Sequence, residues 1–267
     1  GDLRMQVIER GTSTPIDDAK ISISYSGDPD STVEEVNTDA SGMSETLTLD
    51  TPPLELSMQP SEVQPYAEYT IQVTAKGYRP INISGIEVFS GQLSLQEIRM
   101  DAEETTESMT DNIVIPAHTL FAEYPPKIAE AEIKPVTETG EIVLSRVVIP
   151  EYVIVHDGAP SDPTARDYYV RYRDFIKYVA SSEIYSTWPD TTIRANVLAI
   201  MSFTLNRVYT EWYRNKGYSF TITSSTAYDQ KFMYGRNIYQ SISDVVYEMF
   251  QNYLSIPNVR QTILTKY

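Results

Sequence analysis

The sequence contains no cysteine and only two histidines in 267 residues. Without thiols there is no disulfide framework and no thiolate metal site, and the redox compartment stays open. His118 and His156 lie 38 positions apart. With no cysteine to join them, the usual donor set of a structural zinc cannot be assembled, and no cofactor is expected. No apolar run approaches the ~18 residues that would span a bilayer. No basic stretch leads into an apolar core near the start, so neither a transmembrane segment nor a signal peptide is expected. Positive charge is scarce in the first half, where residues 1–150 carry nine Lys and Arg against 26 Asp and Glu. Nucleic acid is therefore a poor partner, because binding the phosphate backbone needs a basic surface.

Hydrophobic residues make up 41% and charged residues 22% of the chain, an ordinary globular balance. The two halves differ, however. Residues 151–267 carry twelve basic against eleven acidic residues, with fifteen of the twenty tyrosines and both tryptophans. Two compositions in one chain of this length argue for two domains.

The first hundred residues alternate with period two. Leu3, Met5 and Val7 form one apolar row, Ala19, Ile21, Ile23 and Tyr25 a second, and Tyr69, Ile71, Val73 and Ala75 a third. Turn signals at Gly11, Gly27-Asp28-Pro29-Asp30, Ala40-Ser41-Gly42, Pro52-Pro53 and Lys76-Gly77 separate these rows. Further runs over 81–88 and 93–100 bring the expected count to about seven, which predicts an antiparallel β-sandwich over residues 1–100. Residues 101–140 read as an acidic, extended linker, because 101–111 hold five acids and no base. That run is either a solvated connector or a docking and processing site.

Past residue 165 the period becomes about 3.6. Tyr168, Tyr172, Phe175 or Ile176, and Val179 share one helical face, and Glu183 falls on the same face at its end. A carboxylate closing an apolar stripe is expected to have its proton held more tightly by burial and by the helix dipole, which suits a general acid. An exposed Glu at a frayed helix end is the alternative. A second helix of about 27 residues is predicted from Asp190, as N-cap, to Arg214-Asn215-Lys216-Gly217, buried through Ile193, Val197, Ile200, Met201, Leu205, Val208 and Trp212. A third is predicted from Ser241, with Asp244 three positions later as in a capping box, to Ile256-Pro257, burying Ile242, Val245, Met249, Phe250 and Tyr253. The predicted fold class is thus α+β, with residues 141–267 forming a mainly helical domain with a few extended segments.

Two resemblances attach to these patterns. Pro15-Ile16-Asp17-Asp18-Ala19, Thr38-Asp39 with Gly42, and the run Tyr69 to Tyr78 resemble the carboxypeptidase regulatory-like β-sandwich family. That likeness implies a spacer or binding module over residues 1–100. Tyr172 to Pro189 with Ile193-Arg194-Ala195-Asn196, the run Phe203 to Tyr213, and Ile222 to Gln230 with Tyr234-Gly235 resemble the stage II sporulation protein D and spore cortex-lytic family. This second likeness implies a peptidoglycan-acting domain with Glu183 as the acid/base of a lytic transglycosylase. It implies substrate contacts at Tyr185, Trp188, Arg194, Asp229, Gln230 and Tyr234. The partners it implies are peptidoglycan glycan strands, with a wall amidase or a processing protease as candidate protein partners, in a spore or cell-envelope setting. The Cys and His zinc ligands of the family are missing around 222–230, so no metal is carried over. The family also continues into a Gly-Leu-Ser-Gln-Trp-Gly-like segment that does not occur before Tyr267. The expectation that follows is weak turnover by this chain alone. The alternatives are a noncatalytic wall-binding or amidase-modifying protein of the same fold, and a structural component using the sandwich for adhesion. Packing of the turn remains the alternative for Tyr185 and Trp188, a solvated helix position for Arg194, and turn chemistry for Asp229 and Gln230.

Overall fold

A computed structural model describes residues 1–103, 109–126, 144–259 and 261–265. In chain order the elements are β1 (Asp2–Glu9), β2 (Lys20–Tyr25), β3 (Asp28–Asn37), β4 (Leu47–Thr48), β5 (Ala67–Thr74), β6 (Ile81–Val88), β7 (Leu93–Met100) and β8 (Asp111–Val114). They continue with β9 (Tyr152–His156), β10 (Asp167–Arg171), α1 (Tyr172–Glu183), α2 (Asp190–Tyr209), β11 (Ile222–Thr223), β12 (Ile238–Tyr239) and α3 (Gln240–Met249). The content is therefore mixed, with three helices and three sheets among the described residues. No helix in this set is long and apolar enough to cross a membrane.

The chain divides into two compact units. The first holds Gly1–Phe121 together with Tyr185–Trp188 and Gly235–Ser241; the second holds Ala122–Ile184, Pro189–Tyr234 and Ile242–Tyr267. This differs from division at residues 100 and 140 in a definite way. Asp111–Val114, inside the expected linker, pairs as a parallel edge strand with β6, and β12 pairs with β7. Of the expected linker, residues 104–108 and 127–140 lie outside the described residues.

In the first unit one sheet runs β12-β7-β1-β4 and the other β3-β2-β5-β6-β8. The period-two rows are buried as their alternation requires: Leu3, Met5, Val7, Ile21, Ile23, Tyr69, Ile71 and Val73 are all fully buried. Tyr25 departs from the pattern, exposed at the end of β2 and stacked on Tyr69 at 5.0 Å. The sheets are not purely antiparallel, because β1 runs parallel to β7 along its whole length and β6 parallel to β8.

The short motif around Thr38 has a local physical basis. Its hydroxyl donates to the Ile16 carbonyl at 2.7 Å and accepts from the Ala19 N–H at 2.9 Å. Asp39 Oδ1 accepts from the Ser41 hydroxyl and from the Ser41 and Met43 N–H groups, which holds this carboxyl below its ordinary range.

Gly85 interrupts β6 with φ +80°, and a Cβ there would strike the Ile115 carbonyl. The burial phase switches across it, from Ile81 and Ile83 to Ile86 and Val88. Gly85→Ala is expected to cost about 2–4 kcal/mol. Gly91→Ala, at φ +67° with nothing in reach of the new methyl, should cost only about 1 kcal/mol. Urea unfolding of the two variants side by side checks the difference.

In the second unit β9 pairs antiparallel with β10 and parallel with β11. Tyr168 belongs to β10 rather than to the helical face, since α1 starts at Tyr172. From Ile200 to Arg207 every residue of α2 is buried, the mark of a helix surrounded on all sides. It ends at Tyr209, short of the predicted 214–217 stop, because Glu211 turns left-handed at φ +51°. Pro189, not Asp190, occupies its N-cap position. Arg214–Lys216 form a separate 3-10 turn, closed by Gly217 at φ +88° as a C-terminal glycine should be.

The third helix ends at Met249, before the expected stop at Pro257, and buries Ile242, Val245 and Val246. Met249 and Phe250 are half-buried and Tyr253 is exposed. Phe250 and Tyr247 instead carry the Arg173 guanidinium over their rings at 5.0 and 5.3 Å. Ser241 lies inside this helix, one residue past its start at Gln240, and its hydroxyl donates to Gln92 Oε1 at 3.0 Å.

Candidate functional site

Glu183 is the last residue of α1. The helix stops there because Ile184 takes an extended conformation, φ −134° and ψ 145°. The buried stripe of Tyr172, Phe175, Ile176, Val179 and Ala180 fixes the rotation of the helix, and hence the direction in which the Glu183 side chain leaves it. Half-buried, its Oε1 accepts the Lys231 N–H at 2.7 Å. The Lys231 ammonium sits over the Tyr124 ring at 4.8 Å.

The loop that supplies this N–H is anchored residue by residue. Asp229, 1% exposed, accepts the Arg207 Nε–H at 2.7 Å on Oδ1. On Oδ2 it accepts the Tyr213 hydroxyl at 2.6 Å, the Thr223 hydroxyl at 2.7 Å and the Thr223 N–H at 2.9 Å. Burial, then the Asp229 charge, pushes the Tyr213 hydroxyl far above its ordinary range, so it stays a donor. Gln230, fully buried, accepts the Thr204 hydroxyl at 2.8 Å and donates to the Ile200 carbonyl at 3.1 Å. Asp229 and Gln230, expected as substrate contacts, are buried here and hydrogen-bonded within this unit.

Tyr234, half-buried, stacks on Tyr168 with centroids 4.7 Å apart and 9° between planes, and the Arg166 guanidinium lies 5.0 Å from the Tyr168 ring centre. Arg194 is held by Asp190 at 2.6 Å, one helical turn back, and by Glu248 at 2.6 Å. These two acids keep its guanidinium protonated beyond its ordinary range.

Tyr185 and Trp188 belong to the first unit. Tyr185 is packed against His118 at 4.7 Å and Phe89 at 5.3 Å, with its hydroxyl pushed up to about 12 by burial and then by the Glu87 charge. The Trp188 indole N–H donates to the Ser57 carbonyl at 3.0 Å. With 8% of its surface exposed, Tyr185 is packed among these rings.

The structure therefore brings Glu183 together with the 229–231 loop. It also adds residues that the sequence reading missed: Thr204, Arg207, Tyr213, Thr223 and Lys231. One signal was present, since Arg207 falls inside the fully buried stretch of a helix and a buried cation demands an acidic partner. A cavity of about 140 Å³ in the same unit is lined by Tyr152, Arg207, Glu211, Tyr213, Arg214 and Phe220, among others, and by none of the expected site residues.

Among the described residues no group of three or more His, Asp or Glu could hold a metal ion. Both histidines are engaged: His118 Nδ1 accepts the Leu120 N–H, and His156 sits 2.7 Å from Asp167 Oδ1. A chelator is expected to leave the melting curve unchanged, as differential scanning calorimetry with and without EDTA would show.

No family model matches the sequence, and no curated protein matches it. Among solved structures, 5-hydroxyisourate hydrolase from Klebsiella pneumoniae aligns with 39% of this chain and 93% of its own, at 14% identity and a TM-score of 0.26. The TIE protein of Bacillus anthracis aligns with 38% of this chain and 17% of its own, at 15% identity and a TM-score of 0.25. Catechol 1,2-dioxygenase from Acinetobacter radioresistens aligns with 43% of this chain and 57% of its own, at 12% identity and a TM-score of 0.22. Likenesses of this size carry no argument about fold or activity.

Proposed function

We propose that this protein acts on peptidoglycan glycan strands as a lytic transglycosylase-like enzyme of the sporulation protein D and cortex-lytic type, outside the cytoplasm in a spore or cell-envelope setting. The observation that carries the reading is the treatment of Glu183. A half-buried carboxylate at a helix end is met by a backbone N–H from a loop whose two preceding side chains are buried and fully engaged. In this reading Glu183 protonates the glycosidic oxygen between N-acetylmuramic acid and N-acetylglucosamine. The muramic 6-hydroxyl then closes on the anomeric carbon and gives its proton to the carboxylate, leaving a 1,6-anhydro end. Because the sugar supplies its own nucleophile, a second carboxylate is not required, unlike in two-carboxylate glycosidases.

The architecture that accompanies this reading is a β-sandwich made of the two sheets of the first unit, serving as a spacer or binding module, and a mainly helical second domain. The buried alternate rows of β1, β2 and β5 support the sandwich, and the all-round burial of α2 from Ile200 to Arg207 supports a helical core.

A second reading has an observation in its favour. Tyr185 is packed away, and Arg194 is committed to two acids, so two of the expected substrate contacts are already engaged. A noncatalytic wall-binding or amidase-modifying protein needs neither. Incubation with purified cortex and vegetative sacculi separates the readings. Release of soluble anhydro-muropeptides is the result expected of the enzyme, whereas sacculus binding or stimulation of an added amidase without such release supports the alternative.

A further inference from the structure

We propose that Asp229, Gln230 and Thr204 are positioning residues for Glu183, acting through the Lys231 N–H to hold its carboxylate in one orientation. The inference rests on the reading of Glu183 as the acid and deepens it. Three consecutive residues do the work. Asp229 is locked by Arg207, Tyr213 and Thr223, through four hydrogen bonds between 2.6 and 2.9 Å. Gln230 is held to one turn of α2: its amide oxygen lies 2.8 Å from the Thr204 hydroxyl, whose single proton is shared with the Ile200 carbonyl at 3.0 Å, and its amide nitrogen donates to that carbonyl at 3.1 Å. The next N–H in the chain, that of Lys231, is then delivered to Glu183 Oε1 at 2.7 Å.

Residue 230 needs a group that offers a donor and an acceptor at once, which an amide does and a carboxylate does not. A polar loop serving stability alone would be complete at the Asp229–Arg207 pair. Here it continues to a donor directed at the one carboxylate that closes the α1 stripe. That carboxylate sits at the negative end of a helix, so a fixed N–H offers it a compensating dipole. The Lys231 N–H thus fixes the orientation of the carboxylate, and Oε1 keeps that bond through the transfer. Orientation of this kind lowers a barrier without touching substrate.

The test uses full-length protein labelled with 15N-lysine and three variants. In Thr204→Val, which keeps the shape and removes the hydroxyl, the Lys231 amide proton should move upfield and exchange about tenfold faster, as it should in Glu183→Ala. Cleavage by Thr204→Val should lose about tenfold in kcat with KM unchanged, and Thr204→Ser should restore both signals. A Lys231 amide in folded Thr204→Val that is indistinguishable from wild type overturns the proposal, as does a rise in KM with kcat unchanged. If the amide responds as expected while wild type makes no anhydro ends, the hold on the carboxylate stands and the reading of Glu183 as an acid falls.

Discussion

Glu183→Gln is expected to lower glycan cleavage by about 10²–10⁴-fold while leaving the melting temperature within a degree or two of wild type. The substitution keeps the shape of the side chain and an oxygen able to accept the Lys231 N–H, so the 2.7 Å bond that ties α1 to the 229–231 loop survives. What is lost is the proton that the glycosidic oxygen must receive as its bond to the anomeric carbon breaks. No second carboxylate stands in for it in this reading. Glu183→Ala is the contrasting variant, since it removes the acceptor as well and should destabilise the loop. Comparing the two by muropeptide release and by calorimetry separates the chemical role of the carboxylate from its structural one. Equal cleavage by Glu183→Gln and wild type would end the assignment.

A larger effect on stability is expected in the first unit. Glu87 and Arg236 form an ion pair at 2.8 Å with side chains 0% and 2% exposed, and the Tyr239 hydroxyl donates to the same Glu87 oxygen at 3.0 Å. Asn237 adds a bond from its amide to the Glu87 carbonyl at 2.8 Å. Removing one partner leaves an uncompensated buried charge, so Arg236→Ala should cost about 3–5 kcal/mol at neutral pH. Replacing both, as in Glu87→Leu with Arg236→Met, should recover most of that loss.

The pH dependence follows from the carboxyl. Burial pushes Glu87 above its ordinary value, and Arg236 pulls it back down. Without Arg236 the carboxyl rises further and the folded state holds a proton that the unfolded state has released. A folded-state pKa raised in this way gives stability that is present at low pH and lost as pH rises through the window between the two values. The penalty of Arg236→Ala should therefore be smaller near pH 4 than near pH 7. Urea midpoints at the two pH values measure it, and a penalty that grows on acidification would contradict the account.

The strands β1, β2, β5, β6 and β7 were legible because their signal is local, whereas β3 (Asp28–Asn37) starts inside the turn signal Gly27-Asp28-Pro29-Asp30. Leu3, Met5 and Val7 alternate with polar neighbours, and no distant residue is needed to see it. The helices were legible in kind but not in their ends. Tyr168 lies four positions before Tyr172 and continues the helical stripe on paper, yet β10 runs straight into α1 and takes Tyr168 with it. Trp212 prolongs the α2 stripe in the same way, while the positive φ of Glu211 that breaks the helix leaves no mark in a hydrophobicity pattern.

The unit boundaries were hidden for a different reason. Gly235–Ser241 joins the first unit through pairs such as Glu87 with Arg236, 149 positions apart, and Leu95 with Ile238. Periodicity reports which face of an element is buried, but not which distant element buries it. The candidate site shows the same limit. Glu183 stood out as a polar end to an apolar stripe, and Arg207 could have been flagged as a buried cation. That Asp229 would be its partner, and that Lys231 would then meet Glu183, depends on a loop closing across α2, which no local pattern encodes.

The central claim is that Glu183 works as an acid on glycan strands, and its most direct test is mass spectrometry of the ends produced from purified spore cortex. Wild type is predicted to generate 1,6-anhydromuramic ends that are absent with Glu183→Gln. Reducing muramic ends, free stem peptides, or anhydro ends that persist in Glu183→Gln would contradict it.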